Sequence, residues 1–357
     1  MNNPNFPPLH SPAHDLPVPQ TPSPQAQGIL AMGTQASSQT WKPTDDKASI
    51  QASIDATVAS IPEGQAGPII SAIYGTAESG VAAEVELIDA GGVPVYVGTP
   101  EGLGDGDRRI YLAIHGALVY GGGELARTGA AVTAGGLGVQ TWVVDYRMPP
   151  YHPFPAPLED CLTVYRTLLK DRSPNEIIIG GMSIGANLTL ATILRARDEG
   201  LPMPAAAVVN SPPADLTMSG DSVQTNAHAD ISFNREDLAD IFSLYTDGHD
   251  RRDPLVSPVH GDYSKGFPPT ILTSGTRDFL LSDTVRVHRK LRAAGVEAEL
   301  HVWEAAPHIM FLGMAPEDHE RTSEIRRFLH QQWASAGASL EADRSSDATG
   351  NAAAALR

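Results

Sequence analysis

The feature that most constrains this chain is the regular alternation of short apolar runs with segments of helical periodicity from about residue 110 onward. Each run is short and bounded by polar residues or glycines, which suits a strand that is buried on both faces. Strands that alternate with helices in this way predict an α/β fold with a mostly parallel, doubly wound sheet. The predicted strands are residues 110–114, 141–144, 177–179, 205–209, 270–272 and 296–302, and the predicted helices are 158–169, 186–195, 238–245 and 287–294.

The region before residue 110 is predicted to add one helix and one hairpin. Apolar residues recur with helical spacing over residues 45–61. They then alternate with polar residues on both sides of the Gly91-Gly92 pair, between residues 85 and 97, which is typical of a β-hairpin.

The two ends of the chain differ from the rest in composition. Eight prolines fall within the first 24 residues, among Asn, Ser, Gln and His, and such a segment buries too little apolar area to offset its ordering entropy. We therefore predict a flexible, Pro-rich arm over residues 1–40, and the alternative is an arm that packs over the active site or a partner subunit. Residues 335–357 are rich in Ala, Ser, Asp and Gly and predict a disordered tail.

Charge and cysteine content exclude several classes of protein. The chain has 25 Lys and Arg against 42 Asp and Glu, a formal net charge of −17, which opposes binding to nucleic-acid phosphates and to anionic membranes. The single cysteine, Cys161, allows no internal disulfide, and its place on a helical stripe predicts a core residue. No signal peptide and no apolar stretch of membrane-spanning length is visible, so we expect a cytoplasmic protein without a membrane span.

The strongest chemical signal is the segment Gly181-Met182-Ser183-Ile184-Gly185, a GxSxG pattern directly after a predicted strand and before a predicted helix. This strand-turn-helix setting is that of a nucleophile elbow, in which a strained turn presents the serine at the end of the strand. The alternative is a Gly-rich turn without chemistry. A dinucleotide-binding loop is disfavoured because the glycine spacing does not match G-x-G-x-x-G.

A serine hydroxyl needs a base, and the base needs an orienting acid, in the chain order Ser, Asp or Glu, His. Asp278 and His308 each follow a predicted strand, so their side chains are placed to converge on Ser183. Asp283 is the competing acid, whereas His301 lies within a strand and is less able to reach the elbow. A helix cap for Asp278 and a solvated loop position for His308 are the alternatives without chemistry.

The turn after the strand at 110–114 is the candidate oxyanion hole. Backbone N–H groups of Gly116, Ala117 and Leu118, together with the N–H of Ile184, are placed to stabilise a developing oxyanion. A purely structural turn is the alternative for this His115-Gly116 segment.

These segments together resemble the hormone-sensitive-lipase-like family of α/β-hydrolases, in its bacterial esterase and lipase branch. The resemblance covers about residues 110–312 and is carried by Ile114-His115-Gly116, Asp145-Tyr146-Arg147, His152 to Ala156 with Leu158-Glu159-Asp160, the serine elbow, Asp253-Pro254, Val256-Ser257-Pro258, the Asp278 and His308 loops, and Leu291 to Val296.

The resemblance implies an α/β-hydrolase fold with a helical cap and ester hydrolysis without a cofactor or a metal. The implied cap consists of N-terminal helices in residues 41–84 and of an insertion at about 212–250 within a catalytic domain of residues 85–334.

Two departures from the family pattern bear on the substrate. The usual HGGG is here His115-Gly116-Ala117-Leu118, and Leu118 is expected to narrow the acyl site. Met182 and Ile184 replace the smaller residues usual beside the serine and point to an altered, apolar pocket.

The most consistent function is a serine esterase that acts on small to medium esters or lactones through an acyl-enzyme. An amidase or an acyl transferase would use the same Ser-His-Asp triad, so the sequence does not distinguish these enzymes from an esterase. A non-catalytic ligand-binding protein of the same fold is disfavoured because His308 is retained. The expected partner is a small-molecule ester, and a homodimer is left open.

Overall fold

The computed structural model of the chain describes residues 16–33, 39–60, 66–232 and 235–354. Eight strands and ten helices alternate through these ranges, together with short 3-10 turns. The strands are β1 (Ala83–Asp89), β2 (Pro94–Pro100), β3 (Ile110–Ile114), β4 (Gln140–Val144), β5 (Ile177–Met182), β6 (Ala206–Asn210), β7 (Thr270–Gly275) and β8 (Ala298–Trp303). The helices are α1 (Pro24–Leu30), α2 (Lys47–Ala59), α3 (Ala66–Tyr74), α4 (Glu124–Leu137), α5 (Ala156–Leu168), α6 (Ile184–Asp198), α7 (Ser222–Thr225), α8 (Arg235–Thr246), α9 (Leu281–Ala293) and α10 (Pro316–Ala354).

All eight strands form one sheet in the order β1-β2-β4-β3-β5-β6-β7-β8. The hairpin of β1 and β2 is antiparallel, and β2 pairs antiparallel with β4. From β4 to β8 every pair is parallel. The predicted α/β-hydrolase architecture with a mostly parallel sheet is therefore confirmed, and each strand and helix predicted from sequence overlaps an observed one.

The central strands β3, β5 and β6 are buried at every residue and mostly apolar because helices cover both faces of the sheet. Alternate residues of β3 enter different clusters: Ile110, Leu112 and Ile114 face one side, whereas Tyr111 and Ala113 face the other. The first side packs against α5, α6 and α9, and the second packs against α3, α4 and α10. Cys161 of α5 is fully buried in the first cluster, in agreement with its predicted core position.

The N-terminal segment differs from the flexible arm that the sequence predicted. Residues 1–15 and 34–38 lie outside the described ranges, but α1 buries Ala26, Ile29 and Leu30. Their neighbours are Trp303, Ala305, Ala306, Met310, Phe311 and Ala315, on both sides of His308. Three apolar residues at helical spacing are enough to dock one short helix, even in a segment whose average composition is polar and Pro-rich.

Contacts at the start of α1 anchor it further. Ser23 caps the helix by accepting a hydrogen bond from Ala26 N, and its own hydroxyl donates to Glu317 Oε2 of α10. The Glu317 Oε1 atom accepts from Ser23 N at 2.7 Å.

The C-terminal end also differs from its prediction. The segment 335–357 was expected to be a disordered tail, but α10 continues through it as far as Ala354. Alanine has the highest helix propensity, so the Ala-rich composition extends a helix that packing has already started. Across the described ranges, no helix is both long enough and apolar enough to cross a membrane.

Docking of α1 predicts that its apolar face contributes to stability. Ile29→Ala should lower the free energy of unfolding by about 2–5 kcal/mol, the usual range for truncating a buried Ile or Leu. Urea denaturation followed by circular dichroism measures the change. Met32→Ala is the control, because Met32 is 65% exposed and its truncation should leave stability unchanged. Equal stability of the two variants would show that α1 is not docked in solution.

Candidate active site

The sharp turn between β5 and α6 places Ser183 at the centre of the candidate site. Ser183 has φ 55° and ψ −125°, a conformation that is strained for a residue with a side chain. The turn fits because Gly181 and Gly185 carry no Cβ, since a Cβ on either glycine would overlap Ile114 O of β3. The predicted strand-turn-helix geometry around Ser183 is thus present, and both glycines are required by close backbone approach.

Two loops bring a histidine and a carboxylate to this serine. Ser183 Oγ lies 2.9 Å from His308 Nε2, so the hydroxyl can donate to the ring nitrogen. On the other side of the ring, His308 Nδ1 lies 3.3 Å from Asp278 Oδ1. His308 is 2% exposed and Asp278 is fully buried. The structure therefore brings together the three side chains predicted from sequence.

Asp278 is held ionised by its surroundings despite its burial. Burial opposes the charged form, but the His308 imidazole and hydrogen bonds outweigh it and hold the pKa of Asp278 below its ordinary value. Ser274 Oγ donates to Asp278 Oδ2 at 2.6 Å, and Leu280 N donates to Oδ1 at 2.8 Å. A charged carboxylate in this position favours the imidazolium form of the histidine.

Asp283, the competing acid, has a different environment. It lies in the first turn of α9, where its Oδ2 accepts from Asp215 N and its Oδ1 lies 3.4 Å from Arg286 Nη1. Burial and the charge of Asp215 raise the pKa of Asp283 to about 7. Its partners lie in α9 and in the segment that follows β6, so it serves to join these two segments.

The candidate oxyanion loop after β3 departs from its prediction at one residue. Gly116 N donates to Ile73 O of α3 at 2.9 Å, so this amide is already used and Gly116 is a poor oxyanion donor. In the part of the chain that the structure describes, the amides of Ala117, Leu118 and Ile184 have no such acceptor. Those three amides remain the candidate donors.

The side chains beside these amides are buried in the core. Leu118 and Ile184 are each 2% exposed and belong to the cluster that contains α5 and α6, and Met182 is fully buried. Ala117 has φ 54°, a left-handed conformation that favours glycine. Alanine in place of glycine therefore adds backbone strain to this loop.

His115 packs within the candidate oxyanion loop and contacts Tyr146 and Gly116. Its ring stacks on Tyr146 at 4.1 Å, and its Nδ1 lies 2.7 Å from Gly116 O. A carbonyl oxygen can only accept, so Nδ1 carries the proton. Burial lowers the pKa of His115 to about 4, which keeps the ring neutral. Tyr146 Oη in turn donates to His115 O at 3.0 Å.

Two cavities adjoin the oxyanion loop and the N-terminal helices. One of about 430 Å³ is lined by residues of α2 and by the segment from Val119 to Gly123. A smaller one of about 100 Å³ lies between α2 and α8 and is lined by Trp41, Ile54, Val119, Tyr120 and Ile241, with polar residues at its edges. Both cavities are partly apolar and share Ile54, Val119 and Tyr120.

One buried group at the site was missed from sequence. Asp230, in the segment between α7 and α8, accepts hydrogen bonds from the backbone of the two loops that carry Asp278 and His308, at Phe279 N and His308 N. No local pattern marks it, because its partners are distant along the chain. Over the described ranges, no group of three or more His, Cys, Asp or Glu side chains is arranged to hold a metal ion.

Comparison with known proteins places this geometry in a family. Residues 111–312 match the family described as alpha/beta hydrolase fold. An acetyl-hydrolase of Streptomyces hygroscopicus is 34% identical over 205 residues, which are 57% of this chain and 68% of that protein.

Solved structures agree with this placement. The crystal structure of an esterase named E25 has a TM-score of 0.77 at 34% identity and covers 90% of this chain and 98% of that one. A second, an esterase from the bacterial hormone-sensitive lipase family, has a TM-score of 0.73 at 30% identity, with 87% and 99% covered. The chain belongs to the α/β-hydrolase fold family, among the bacterial hormone-sensitive-lipase-like esterases, and is a carboxylic ester hydrolase.

Proposed function

We propose that the protein hydrolyses esters through an acyl-enzyme on Ser183, with His308 as general base and Asp278 as the orienting acid. The observation that carries this proposal is the continuous contact from Ser183 Oγ through the His308 ring to Asp278, at 2.9 Å and 3.3 Å. A weak nucleophile, a base within hydrogen-bond distance and a buried acid behind the base are the parts that acyl transfer requires.

In the acylation step, Ser183 Oγ attacks the ester carbonyl carbon while His308 Nε2 takes the hydroxyl proton. The ring then carries a positive charge, which the ionised Asp278 stabilises. The carbonyl oxygen becomes an oxyanion, and the amides of Ala117, Leu118 and Ile184 are the proposed donors to it. As the tetrahedral intermediate collapses, His308 returns the proton to the leaving alcohol.

Deacylation repeats these steps with water as the nucleophile. His308 removes a proton from water, the hydroxide attacks the acyl carbon, and the same amides stabilise the second oxyanion. Collapse of that intermediate releases the carboxylic acid and returns the proton to Ser183. The reaction needs no metal or cofactor in this scheme.

Small to medium esters, with lactones as an alternative, are the proposed substrates. The cavity of about 430 Å³, lined in part by the segment from Val119 to Gly123 that directly follows the candidate oxyanion loop, is of the size that suits a small ligand. The related protein from Streptomyces hygroscopicus, which is named an acetyl-hydrolase, supports a small acyl group. An amidase or acyl transferase with the same triad is the second candidate, since all three share the acyl-enzyme.

Replacing the nucleophile tests the proposal directly. Ser183→Ala should lower kcat for p-nitrophenyl acetate by on the order of 10⁴-fold or more, as in triad knockouts of serine proteases. Because the hydroxyl alone is removed, circular dichroism should be unchanged. A folded variant that retains wild-type turnover would contradict the serine mechanism.

A matched pair of carboxylates tests the acid assignment. Asp278→Asn should lower kcat by a factor on the order of 10⁴, the serine-protease precedent, because the amide favours the wrong histidine tautomer. Asp283→Asn is the control: it replaces a buried acid only five residues away that contacts Asp215 and Arg286. It should keep turnover within a few-fold of wild type. If Asp283→Asn lowered kcat far more than Asp278→Asn did, Asp283 would be the acid.

The acyl and leaving groups are tested by a substrate panel. We expect kcat/KM to be highest for short p-nitrophenyl esters and to fall from butyrate to laurate, because the relative from Streptomyces hygroscopicus is named an acetyl-hydrolase. Matched acetanilides separate an esterase from an amidase, and added alcohol acceptors reveal acyl transfer. Anilide hydrolysis as fast as ester hydrolysis would favour the amidase.

A further inference from the structure

A buried carboxylate from the segment that follows β6 (residues 211–232, called the cap segment below) contacts two loops of the candidate site. These are the acid loop after β7, which carries Asp278, and the base loop after β8, which carries His308. Asp230 is 1% exposed and follows α7 in the connection between β6 and α8. Its Oδ2 atom accepts from His308 N at 2.9 Å and from Phe279 N at 3.2 Å. Its Oδ1 atom accepts from Ser232 N at 2.8 Å, which fixes the orientation of the carboxylate.

The positions of these two amides give the contact its significance. Phe279 directly follows Asp278, and the other amide is that of His308 itself. One oxygen therefore joins the backbone of the acid loop to the backbone of the base loop at the catalytic positions. The 3.3 Å separation between His308 Nδ1 and Asp278 Oδ1 depends on how these loops lie relative to each other.

Other residues of the same cap segment clamp the acid loop. Asn226 Nδ2 donates to Asp278 O at 2.9 Å, and Ser222 Oγ donates to Phe279 O at 2.7 Å. The carbonyl groups of Asp278 and Phe279 and the amide of Phe279 thus each have a hydrogen-bond partner in this one segment. Ser232 contacts only the base loop, where its Oγ accepts from Ile309 N at 3.3 Å, whereas Asp230 contacts both loops.

The charge of Asp230 also bears on the protonated form of His308. Burial and the nearby charge of Asp278 raise the pKa of Asp230, whereas the positive form of His308 opposes that rise. Asp278, from the loop after β7, and Asp230, from the cap segment, each interact electrostatically with His308. An ionised Asp230 therefore stabilises the imidazolium that forms in the proposed mechanism.

We propose that Asp230 is a positioning residue for catalysis: it fixes the base and acid loops relative to each other, and its negative charge supports the imidazolium form of His308. This inference rests on the proposed function, because it assigns Asp230 a role through His308 and Asp278. Asp230 itself touches neither Ser183 nor the reacting atoms in this assignment.

Asp230→Asn tests both parts of the proposal. We expect kcat for p-nitrophenyl acetate to fall on the order of 10–100-fold with KM little changed, because a misplaced base costs rate without costing binding. The pH at which activity falls to half on the acidic side should move to lower pH. Loss of a negative charge beside the ring disfavours the protonated, inactive form, and a merely structural role would not produce this shift.

Asp318→Asn is the matched control. Asp318 is also fully buried and accepts two backbone amides, from Phe311 at 3.2 Å and Ala315 at 3.1 Å, in the loop that follows His308. This variant loses a similar pair of hydrogen bonds, and its acidic midpoint should equal that of wild type. A phosphonate titration of active sites in each sample normalises kcat to folded enzyme.

Asp230→Glu keeps the proposal testable if the Asn variant does not fold. The added methylene displaces the carboxylate but retains its charge, so kcat should fall while the acidic midpoint stays near that of wild type. A wild-type kcat in Asp230→Glu overturns the positioning role. In a folded Asp230→Asn variant, an unmoved acidic midpoint overturns the charge role.

Ser183→Ala in the same assay distinguishes failure of the proposed function from failure of the inference about Asp230. If Ser183→Ala keeps its turnover, the proposed function fails, whatever Asp230 does. If Ser183→Ala is inactive and Asp230→Asn matches wild type in both kcat and midpoint, only the inference about Asp230 fails.

Discussion

The strained turn at Ser183 is the constraint on which the rest of the site depends. The start of α6 approaches β3 so closely that only glycine fits at positions 181 and 185. This approach points the serine away from the sheet at the carboxyl end of β5, where the loops after β3, β7 and β8 also emerge. Strain of this kind persists only where the surrounding structure imposes it, and here the buried strand β5 and the buried N-terminal part of α6 do so.

The sequence predicted those parts of the fold and site that short segments encode. An apolar run on β5, a glycine-spaced turn and a helical stripe identify the elbow without reference to any other part of the chain. Asp278 and His308 were predicted for a similar reason, since each follows a strand whose carboxyl end lies at the same edge of the sheet. The α/β class followed from periodicity alone.

What the sequence did not predict depends on contacts between distant residues. Asp230 is 49 residues from Phe279 and 78 from His308, so no local pattern marks it. Docking of α1 depends on an apolar surface that the loops around His308 create only after folding. The use of the Gly116 amide by Ile73 O likewise requires α3 to lie against the turn after β3. In each case the outcome depends on burial against, or a hydrogen bond with, a segment that is distant along the chain.

These long-range contacts share one pattern: each of the three loops of the candidate site is held by a segment that lies outside the sheet. The loop after β3 is fixed by α3, through Ile73 O and through the Tyr74 hydroxyl, which donates to Gly121 O. The segment from Ser222 to Asp230 holds the loop after β7, and α1 packs on the loop after β8. Loops at strand ends have few neighbours of their own, and their geometry must be set within fractions of an ångström for proton transfer. The added segments supply those neighbours, so variation in them can change catalytic geometry without any change in the three side chains that contact one another at the centre.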